Sequence, residues 1–406
     1  MVSSPPQRSL RGGTRKANQF RKMADSSVNP FVLTIHEAKD ILQAQDVVRD
    51  WDNLLRTLDH INGIYGSPLW LAHLADGGTK KAGALLARDH RGSLAGIVPF
   101  CRLQFILRFD IAGRLLASKP LRTLELLGSI PMLPENFEIH NEALRQVFSA
   151  WPECDAIYID SLASDSFFWR FLNDPGRKSD FFYMHVVSGP RPWHLINLAP
   201  SYDLYLKSMS SKARANLRRE VKRFEEAASC GIKMCRVTAR DQVAWFLECA
   251  ARIADHSWQR RILGRSIHCD ASTLNSLQNL ADLGLLRSYL LQLGEAPCSF
   301  VIGYQHQSVY HYVEIAFDEG YSEYSPGKVH LSLILEDLHQ HAPPKTLNFG
   351  VGDASYKRRF GNCEKRDVSC LLMRPRIGNF LVTKSHSIFT ATVAATKRII
   401  GRRVTK

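Results

Sequence analysis

Strand-like and helix-like segments alternate along this chain in two consecutive series, which restricts the fold to the α/β and α+β classes. The first series ends with a strand predicted at 156–160, and the second begins with a strand predicted at 194–198. Between them the sequence reads SGPRP at 188–192, and two prolines and a glycine so close together mark a turn or a domain boundary. We therefore predict two domains with mixed strands and helices, spanning 31–188 and 189–375.

The two series contain hairpins of similar layout. Residues 84–100 and 287–304 each read as a strand, a glycine-containing turn and a second strand. This layout fits an internal duplication, and it fits any two unrelated hairpins as well. The sequence alone leaves both interpretations open.

The net charge of +14 comes from the two ends of the chain. Residues 1–22 and 374–406 contain basic residues and no acid, whereas the 39 acidic residues of the rest are matched by an equal number of basic ones. A neutral body argues against a nucleic-acid-binding face. We predict that 1–30 is a disordered basic segment, for which a transit peptide or a translation start at Met23 are alternative explanations. We predict that 376–406 is a basic tail or helix that contacts an anionic membrane peripherally.

The composition excludes several classes of protein. Hydrophobic residues make up 45% and charged residues 23%, as in ordinary globular domains. No apolar run approaches the ~20 residues that span a bilayer. Nine scattered cysteines without a CxxC pair predict no disulfide framework and no metal site, and favour a reducing cytoplasm. HExxH, GxSxG and P-loop motifs are missing from the sequence, so zinc protease, α/β-hydrolase and NTPase functions have no support.

The strand predicted at 309–317 carries a candidate general base. Because side chains alternate along a strand, Tyr310, Tyr312, Glu314 and Ala316 are expected on one face. A glutamate between aromatic residues would be partly desolvated, with a raised pKa suited to proton abstraction. The alternative is that Glu314 lies in solvent at the sheet edge.

The segment that follows predicts a helix start with anion-binding character. Ser325 is suited to the N-cap and Pro326 to the first helical position. Gly327 allows close approach of a ligand, Lys328 adds positive charge, and free N–H groups of the first turn, including that of Val329, point outward. An ordinary capped helix would look the same.

A third candidate segment reads NFGVGDASYKRRF at 348–360. Its glycine spacing fails the dinucleotide-binding pattern, since Ser355 replaces the third glycine. A strand, a glycine-rich turn and a short helix remain. Asp353 either caps that helix or contributes to catalysis, while Tyr356 and Lys357 are expected to face a cleft.

Two further features are candidates for substrate binding. The helix predicted within 201–228 has an apolar stripe flanked by basic residues that include Arg218 and Arg219. It is either a solvated basic face or a surface for an anionic substrate. Trp258 lies between polar residues, as expected for a half-exposed ring at a pocket or for core packing.

These stretches, in this order, resemble the GNAT-type acyltransferases, specifically the bacterial group of acetyltransferases associated with cellulose or exopolysaccharide biosynthesis, which is itself similar to the Fem-type peptidyltransferases. The resemblance rests on SKARANLRREVKRFEE, LLRSYLLQLGEAPCSFVIGY, EYSPGKVHLSLILEDL and NFGVGDASYKRRFG. SPLWLAHLADG and LAGIVPF in the first half are similar more loosely.

The resemblance implies tandem GNAT-like domains, each a twisted, mostly antiparallel sheet flanked by helices, with the active cleft in the second. It implies a cytoplasmic N- or O-acyltransferase that uses acetyl-CoA and acts on a small-molecule or saccharide acceptor. The donor pyrophosphate would lie at Ser325–Val329, with Lys357 also in the cofactor site. Tyr356 would protonate the thiolate, and Glu314, or else Asp353, would act as base.

The same resemblance implies roles for substrate-binding residues and leaves two other functions open. Tyr312, Arg218, Arg219 and Trp258 are the candidate substrate contacts. The glycine pattern of the usual pyrophosphate loop is reduced in GYSEYSPGKV at 320–329. An aminoacyl-tRNA donor, as in Fem-type enzymes, would suit the basic helix, and a non-catalytic scaffold with this fold is the other alternative.

Overall fold

The computed structural model describes residues 31–58, 61–76, 81–111, 114–176, 179–228, 231–264 and 267–404. The disorder predicted for 1–30 lies outside these residues.

The first half of the chain contains six strands and five α-helices among the described residues. The strands are β1 (Val32–Glu37), β2 (Ala82–Arg88), β3 (Leu94–Ile111), β4 (Arg114–Leu126), β5 (Ala156–Ala163) and β6 (Tyr183–Asn197). The helices are α1 (Ala38–Gln43), α2 (Gln45–Thr57), α3 (Pro68–Asp76), α4 (Phe137–Ala150) and α5 (Phe167–Leu172).

The second half repeats this arrangement with more helices. Its strands are β7 (Ile232–Val237), β8 (Ser288–Leu293), β9 (Ala296–His306), β10 (Val309–Phe317), β11 (Thr346–Val351) and β12 (Cys363–Met373). Its helices are α6 (Tyr202–Ser208), α7 (Ser211–Ala227), α8 (Arg240–Asp255), α9 (Trp258–Leu263), α10 (Ala271–Asp282), α11 (Pro326–Gln340), α12 (Ser355–Phe360) and α13 (Ile377–Val404).

The described strands form one twelve-stranded sheet in the order β1-β2-β3-β4-β5-β12-β6-β11-β10-β9-β8-β7. The order is symmetric about the centre of the sheet: β1 to β5 run inward from one edge, and their equivalents β7 to β11 run inward from the other. β12 and β6, the last strands of the two halves, meet in the middle. Neighbours are antiparallel except β4 with β5 and β10 with β11, which occupy equivalent places. This symmetry supports the duplication that the two hairpins alone left open.

The last strand of each half crosses into the other half. β12 pairs with β5 of the first half, and β6 pairs with β11 of the second. The SGPRP segment therefore lies inside β6, where the sequence predicted a turn or boundary. It forms a bulge against β12: Arg191 pairs with Asp367 and Ser188 with Ser369, so two residues face one. Gly189 has φ 112° there, and Pro190 needs no ladder hydrogen bond. The division at 188/189 remains a prediction about the units of the chain.

Helices cover both faces of the sheet, because each half buries a separate apolar cluster on each face. On one face of the second half, α7 packs with α11 over β8–β11. The apolar stripe predicted for α7 is buried there, with Leu217 and Phe224 fully enclosed. On the opposite face, α8 and α10 pack together. The two layers leave the ends of β10 and β11 open between them.

Candidate active site

A cavity of about 490 Å³ lies between the two halves of the chain, near the ends of the parallel pairs β10/β11 and β4/β5. β10 pairs with β11 only from Val309 to His311, and the two strands separate beyond this point. β4 and β5 pair over three residues in the same way. Both halves contribute walls: Asn62, Tyr65, Trp70, Glu125, Ser129 and Asp160 from the first, and Trp193, His311, Tyr312, Asn348, Phe349, Gly350, Tyr356 and Lys357 from β6 and the second half.

Asn348 organises the floor of this cavity. It is buried, and its Oδ1 accepts hydrogen bonds from Trp193 Nε1 at 2.7 Å and from the Gly350 backbone N–H at 2.8 Å. Its Nδ2 lies 3.5 Å from Oδ1 of Asn62, which belongs to the first half. Asn62 in turn donates to Ser129 Oγ at 2.9 Å. The two halves are therefore connected by polar contacts at the bottom of the site.

Helix α12 places Tyr356 and Lys357 on the cavity wall, as the sequence predicted. The glycine turn before the helix brings its backbone carbonyls close to Lys357. Lys357 Nζ donates to the carbonyl of Val351 at 3.0 Å and to that of Gly350 at 3.3 Å. Burial lowers the pKa of Lys357 to about 8, and the nearby Asp353 carboxylate opposes this shift. The site thus contains an ammonium group that loses its proton unusually easily.

Tyr356 keeps its proton at neutral pH. Its ring packs edge-on against Phe349 at a centroid distance of 5.7 Å. Burial raises the pKa of Tyr356 to about 12. Tyr312 lies beside it on the same wall and is fully buried. A protonated phenol on the wall of a cavity is able to act as a general acid.

The first half contributes a carboxylate, Asp160, that sequence analysis did not single out. Asp160 Oδ1 accepts hydrogen bonds from Ser369 Oγ at 2.6 Å and from Tyr158 OH at 3.1 Å. Arg191 Nη2 donates to Ser369 Oγ at 2.8 Å and to the carboxylate of Asp367 at 2.5 Å. Burial raises the pKa of Asp367, and its bond to Arg191 partly offsets the rise. This chain of contacts across β5, β12 and β6 fixes the Asp160 carboxylate at the cavity edge.

The structure does not place Glu314 in the cavity. β10 has an irregular register between Tyr312 and Glu314, so Tyr312 pairs with Gly303 and Glu314 with Ile302. This bulge puts Glu314 on the face opposite to Tyr312, and the prediction that both share one face is wrong. Glu314 is exposed, as in the alternative interpretation.

The start of α11 is also outside the cavity. Pro326 occupies the first turn as predicted, but the Ser325 side chain makes no cap hydrogen bond. The N–H groups of Lys328 and Val329 both donate to the carbonyl of Ser325. Lys328 Nζ donates to Glu220 at 2.7 Å, and Val329 is buried in the core. Of the backbone N–H groups from Gly327 to Val329, therefore, only that of Gly327 does not donate to the Ser325 carbonyl. The charge of Lys328 is neutralised by Glu220, so little of the predicted anion-binding character remains.

The other candidates lie apart from the cavity. Asp353 does not cap α12, whose N-cap residue is Ala354; its carboxylate instead contacts His194 Nε2 at 3.1 Å and forms an ion pair with Arg358. Arg218 and Arg219 are exposed on α7, and Trp258, which is 37% exposed, begins α9.

Comparisons with known proteins agree with this architecture. Residues 211–358, from α7 to α12, match the acetyltransferase (GNAT) domain family. A crystal structure of FemX superposes with a TM-score of 0.57 and 12% identity over 83% of this chain and 98% of that chain. No curated protein matches this chain in sequence.

Two further solved structures have lower TM-scores. The C-terminal domain of a putative lysylphosphatidylglycerol synthetase from Agrobacterium fabrum gives 0.48 with 12% identity, over 84% of this chain and 96% of that chain. A tandem GNAT protein from the clavulanic acid biosynthesis pathway gives 0.47 with 9% identity, over 85% and 99%.

The fold and the cavity thus define a protein with tandem GNAT-like domains. The match of residues 211–358 to the acetyltransferase (GNAT) domain family includes β10, β11 and the first four residues of α12, and it supports an acyltransferase in general.

Proposed function

We propose that this protein transfers an acyl group from an activated thioester or ester to an amine or hydroxyl bound between its two halves. The observation that carries the proposal is one cavity that combines Tyr356 and Lys357 of the GNAT domain with Asp160 of the first half. This places an acid, a positive charge and a carboxylate around one space, and each of the three can accelerate acyl transfer.

The proposed reaction is a direct displacement. The acceptor nitrogen or oxygen attacks the donor carbonyl carbon and gives its proton to Asp160, directly or through water. The Lys357 ammonium stabilises the negative charge that develops on the carbonyl oxygen. The carbon–sulfur bond then breaks, and Tyr356 gives its proton to the departing thiolate.

Asp160 is a better candidate for the base than Glu314. Its carboxylate lines the cavity and is held by Ser369 and Tyr158, whereas Glu314 lies in solvent on the other face of β10. A base must lie within hydrogen-bond reach of the proton it removes, directly or through one water.

For the donor we propose acyl-CoA, with acetyl-CoA as the first compound to test. The GNAT domain match supports this choice. A second donor, aminoacyl-tRNA, is favoured by a specific observation: most backbone donors at the start of α11 are occupied, while Arg218 and Arg219 are exposed on α7. Helix α7 contacts α12 through the Arg359–Glu220 ion pair at 3.3 Å, so its basic face is one helix away from the cavity.

For the acceptor we propose a saccharide of the cell envelope or an exopolysaccharide. Aromatic rings and amide side chains suit the binding of sugar rings and hydroxyls, and the cavity has both in Tyr65, Trp70, Trp193 and Asn348.

The test measures donor binding and donor breakdown. We expect acetyl-CoA to raise the melting temperature of the full chain by mass action, and aminoacyl-tRNA to do so if it is the donor. Release of free thiol from acetyl-CoA, without any acceptor, reports chemistry at the cavity. Tyr356→Phe and Asp160→Asn should lower it by about ten-fold or more. Glu314→Gln is the matched control and should leave it unchanged; equal losses in all three variants would reject the assignment.

A further inference from the structure

Helix α13 has an inverted distribution of polar and apolar side chains. Asn379, Thr383 and His386 are buried, at 8%, 3% and 4% exposure. Ile377, Leu381 and Ile388 are 83%, 60% and 67% exposed. Their spacing places them on one stripe of the helix. A helix on a water-facing surface normally does the reverse, so this stripe is suited to an apolar environment.

A second apolar patch lies on the hairpin that faces α13. β3 has no β2 partner beyond Cys101, and β4 has no β5 partner before Thr123, so 102–111 and 114–122 leave the sheet as a two-stranded arm. Its exposed apolar side chains are Ile106, Ile111, Leu115 and Leu116, at 41%, 44%, 47% and 57%.

The arm and α13 contact each other directly. The Phe109 ring of the arm lies 5.3 Å from His386 and 5.4 Å from Phe389, measured between ring centroids. Eight of the 15 large apolar side chains that are exposed in the described part of the chain lie on these two elements. Such clustering marks a binding surface, because exposed apolar residues are usually scattered singly.

The charge of this surface identifies its partner. Arg114, Lys119 and Lys384 are exposed, and none of them forms an ion pair within the described residues. The single acid of the arm, Asp110, pairs with Arg108 at 3.1 Å. The sequence contains no acid after Asp367. A two-fold contact with a second copy would bring this excess of positive charge against itself, whereas anionic headgroups complement it.

We propose that the arm and α13 bind the headgroup region of a bilayer that contains anionic phospholipids. The apolar side chains would enter the boundary between headgroups and acyl chains, and the basic side chains would contact phosphates. In the described part of the chain, no helix has the length and apolarity to cross a membrane. This inference does not depend on the acyl-transfer chemistry, since none of these residues lines the cavity.

Sedimentation of the full chain with vesicles tests the proposal. We expect binding to vesicles of phosphatidylcholine mixed with phosphatidylglycerol, weaker binding to phosphatidylcholine alone, and weakening by salt. Leu381→Ser/Ile388→Ser and Leu115→Ser/Leu116→Ser should each lower the partition coefficient about ten-fold or more. Arg114→Gln/Lys384→Gln should weaken binding to the anionic vesicles alone.

The matched control is Leu58→Ser/Leu204→Ser, which removes two leucines of 40% and 47% exposure away from this surface and should bind like the wild type. The charge variant keeps the test valid if a serine variant fails to fold. Failure of the wild type to sediment with anionic vesicles would overturn the proposal, as would full binding by the serine variants. A wild-type dimer that Leu381→Ser/Ile388→Ser converts to a monomer would overturn it in favour of self-association.

Discussion

Lys357 shows how one buried side chain can set the pH range of a reaction. Its ammonium is held by two backbone carbonyls, and burial lowers its pKa to about 8. If the charged form stabilises the transition state, turnover should fall as the pH rises through about 8. Lys357→Arg should move this fall to higher pH, because a guanidinium keeps its proton. The measurement is the pH profile of thiol release from acetyl-CoA, corrected for spontaneous hydrolysis.

Lys328→Arg is the matched control for this profile. Lys328 belongs to the same domain, but its ammonium is paired with Glu220 outside the cavity. Its substitution should leave the alkaline limb where it is. A limb that stays near 8 in Lys357→Arg would show that another group titrates, and Tyr356, with a pKa of about 12, is not that group.

The sequence predicted the residues of the site that lie in one local segment and missed those that distant segments contribute. Tyr356 and Lys357 follow a glycine turn, so their placement could be read from neighbouring residues. Glu314 was misplaced because a bulge reverses strand alternation, and the pattern of polar and apolar residues contains no sign of it. Asp160 ends a predicted strand, yet its position at the cavity depends on Ser369, more than two hundred residues away in sequence.

We expect a substitution in the ion pair between β6 and β12 to lower the free energy of unfolding strongly. Asp367 has no solvent exposure and pairs with Arg191, whose side chain is 30% exposed. Arg191→Met would leave a buried carboxylate without its partner, and we expect a loss of about 3 kcal/mol in the free energy of unfolding. Arg191→Met/Asp367→Leu should recover most of that loss, because no unpaired charge remains. Urea denaturation measures both.

The double variant also separates stability from positioning. It should regain stability but not turnover, since Arg191 also donates to Ser369, which holds Asp160. Full activity in the double variant would show that this chain of contacts does not position Asp160.

The attachment of α13 should depend on pH. His185 Nε2 and His386 Nδ1 lie 3.1 Å apart, and burial lowers the pKa of both rings, that of His185 to about 4. A hydrogen bond to the Arg108 backbone opposes the shift of His386. The unfolded chain takes up protons near pH 6.5 and the folded pair does not, so stability is lost as the pH falls from about 6.5 towards 4.

Hydrogen exchange of α13 amides, corrected for intrinsic rates, measures this attachment. Protection should decrease between pH 7 and pH 5 in the wild type and remain more constant in His386→Gln. The control His36→Gln changes a histidine outside this contact and should behave like the wild type. Equal loss of protection in His386→Gln would assign the effect to other groups.

Element boundaries were predictable where turn residues flank a strand. The predicted strand 309–317 coincides with β10. Pairing between distant segments was not predictable: SGPRP lies inside β6 as a bulge against β12, and its neighbouring residues do not indicate this. The long arm of β3 and β4 was missed because its exposed apolar residues do not alternate like a half-buried strand.

For the whole molecule, the exchange of β6 and β12 predicts a single unfolding transition. β12 pairs with β5 and β6 pairs with β11, so neither half of the twelve-stranded sheet is complete without a strand from the other half. Calorimetry of the full chain should show one endotherm whose calorimetric and van't Hoff enthalpies agree. Leu144→Ala in the first core and Leu335→Ala in the second each remove a buried side chain and should lower the same melting temperature by roughly 5 °C.

Independent domains would behave differently, and the two substitutions reveal which case holds. If the halves were joined only by the chain, Leu144→Ala would shift one transition and leave the other in place. With exchanged strands, a cavity in the core under α4 weakens the packing of β5 and β12, which pair with each other. β12 also pairs with β6, and β6 pairs with β11 at the cavity. Leu144→Ala should therefore also increase amide exchange in β11, across the centre of the sheet. Unchanged exchange there, together with two endotherms, would show that the shared sheet does not couple the halves.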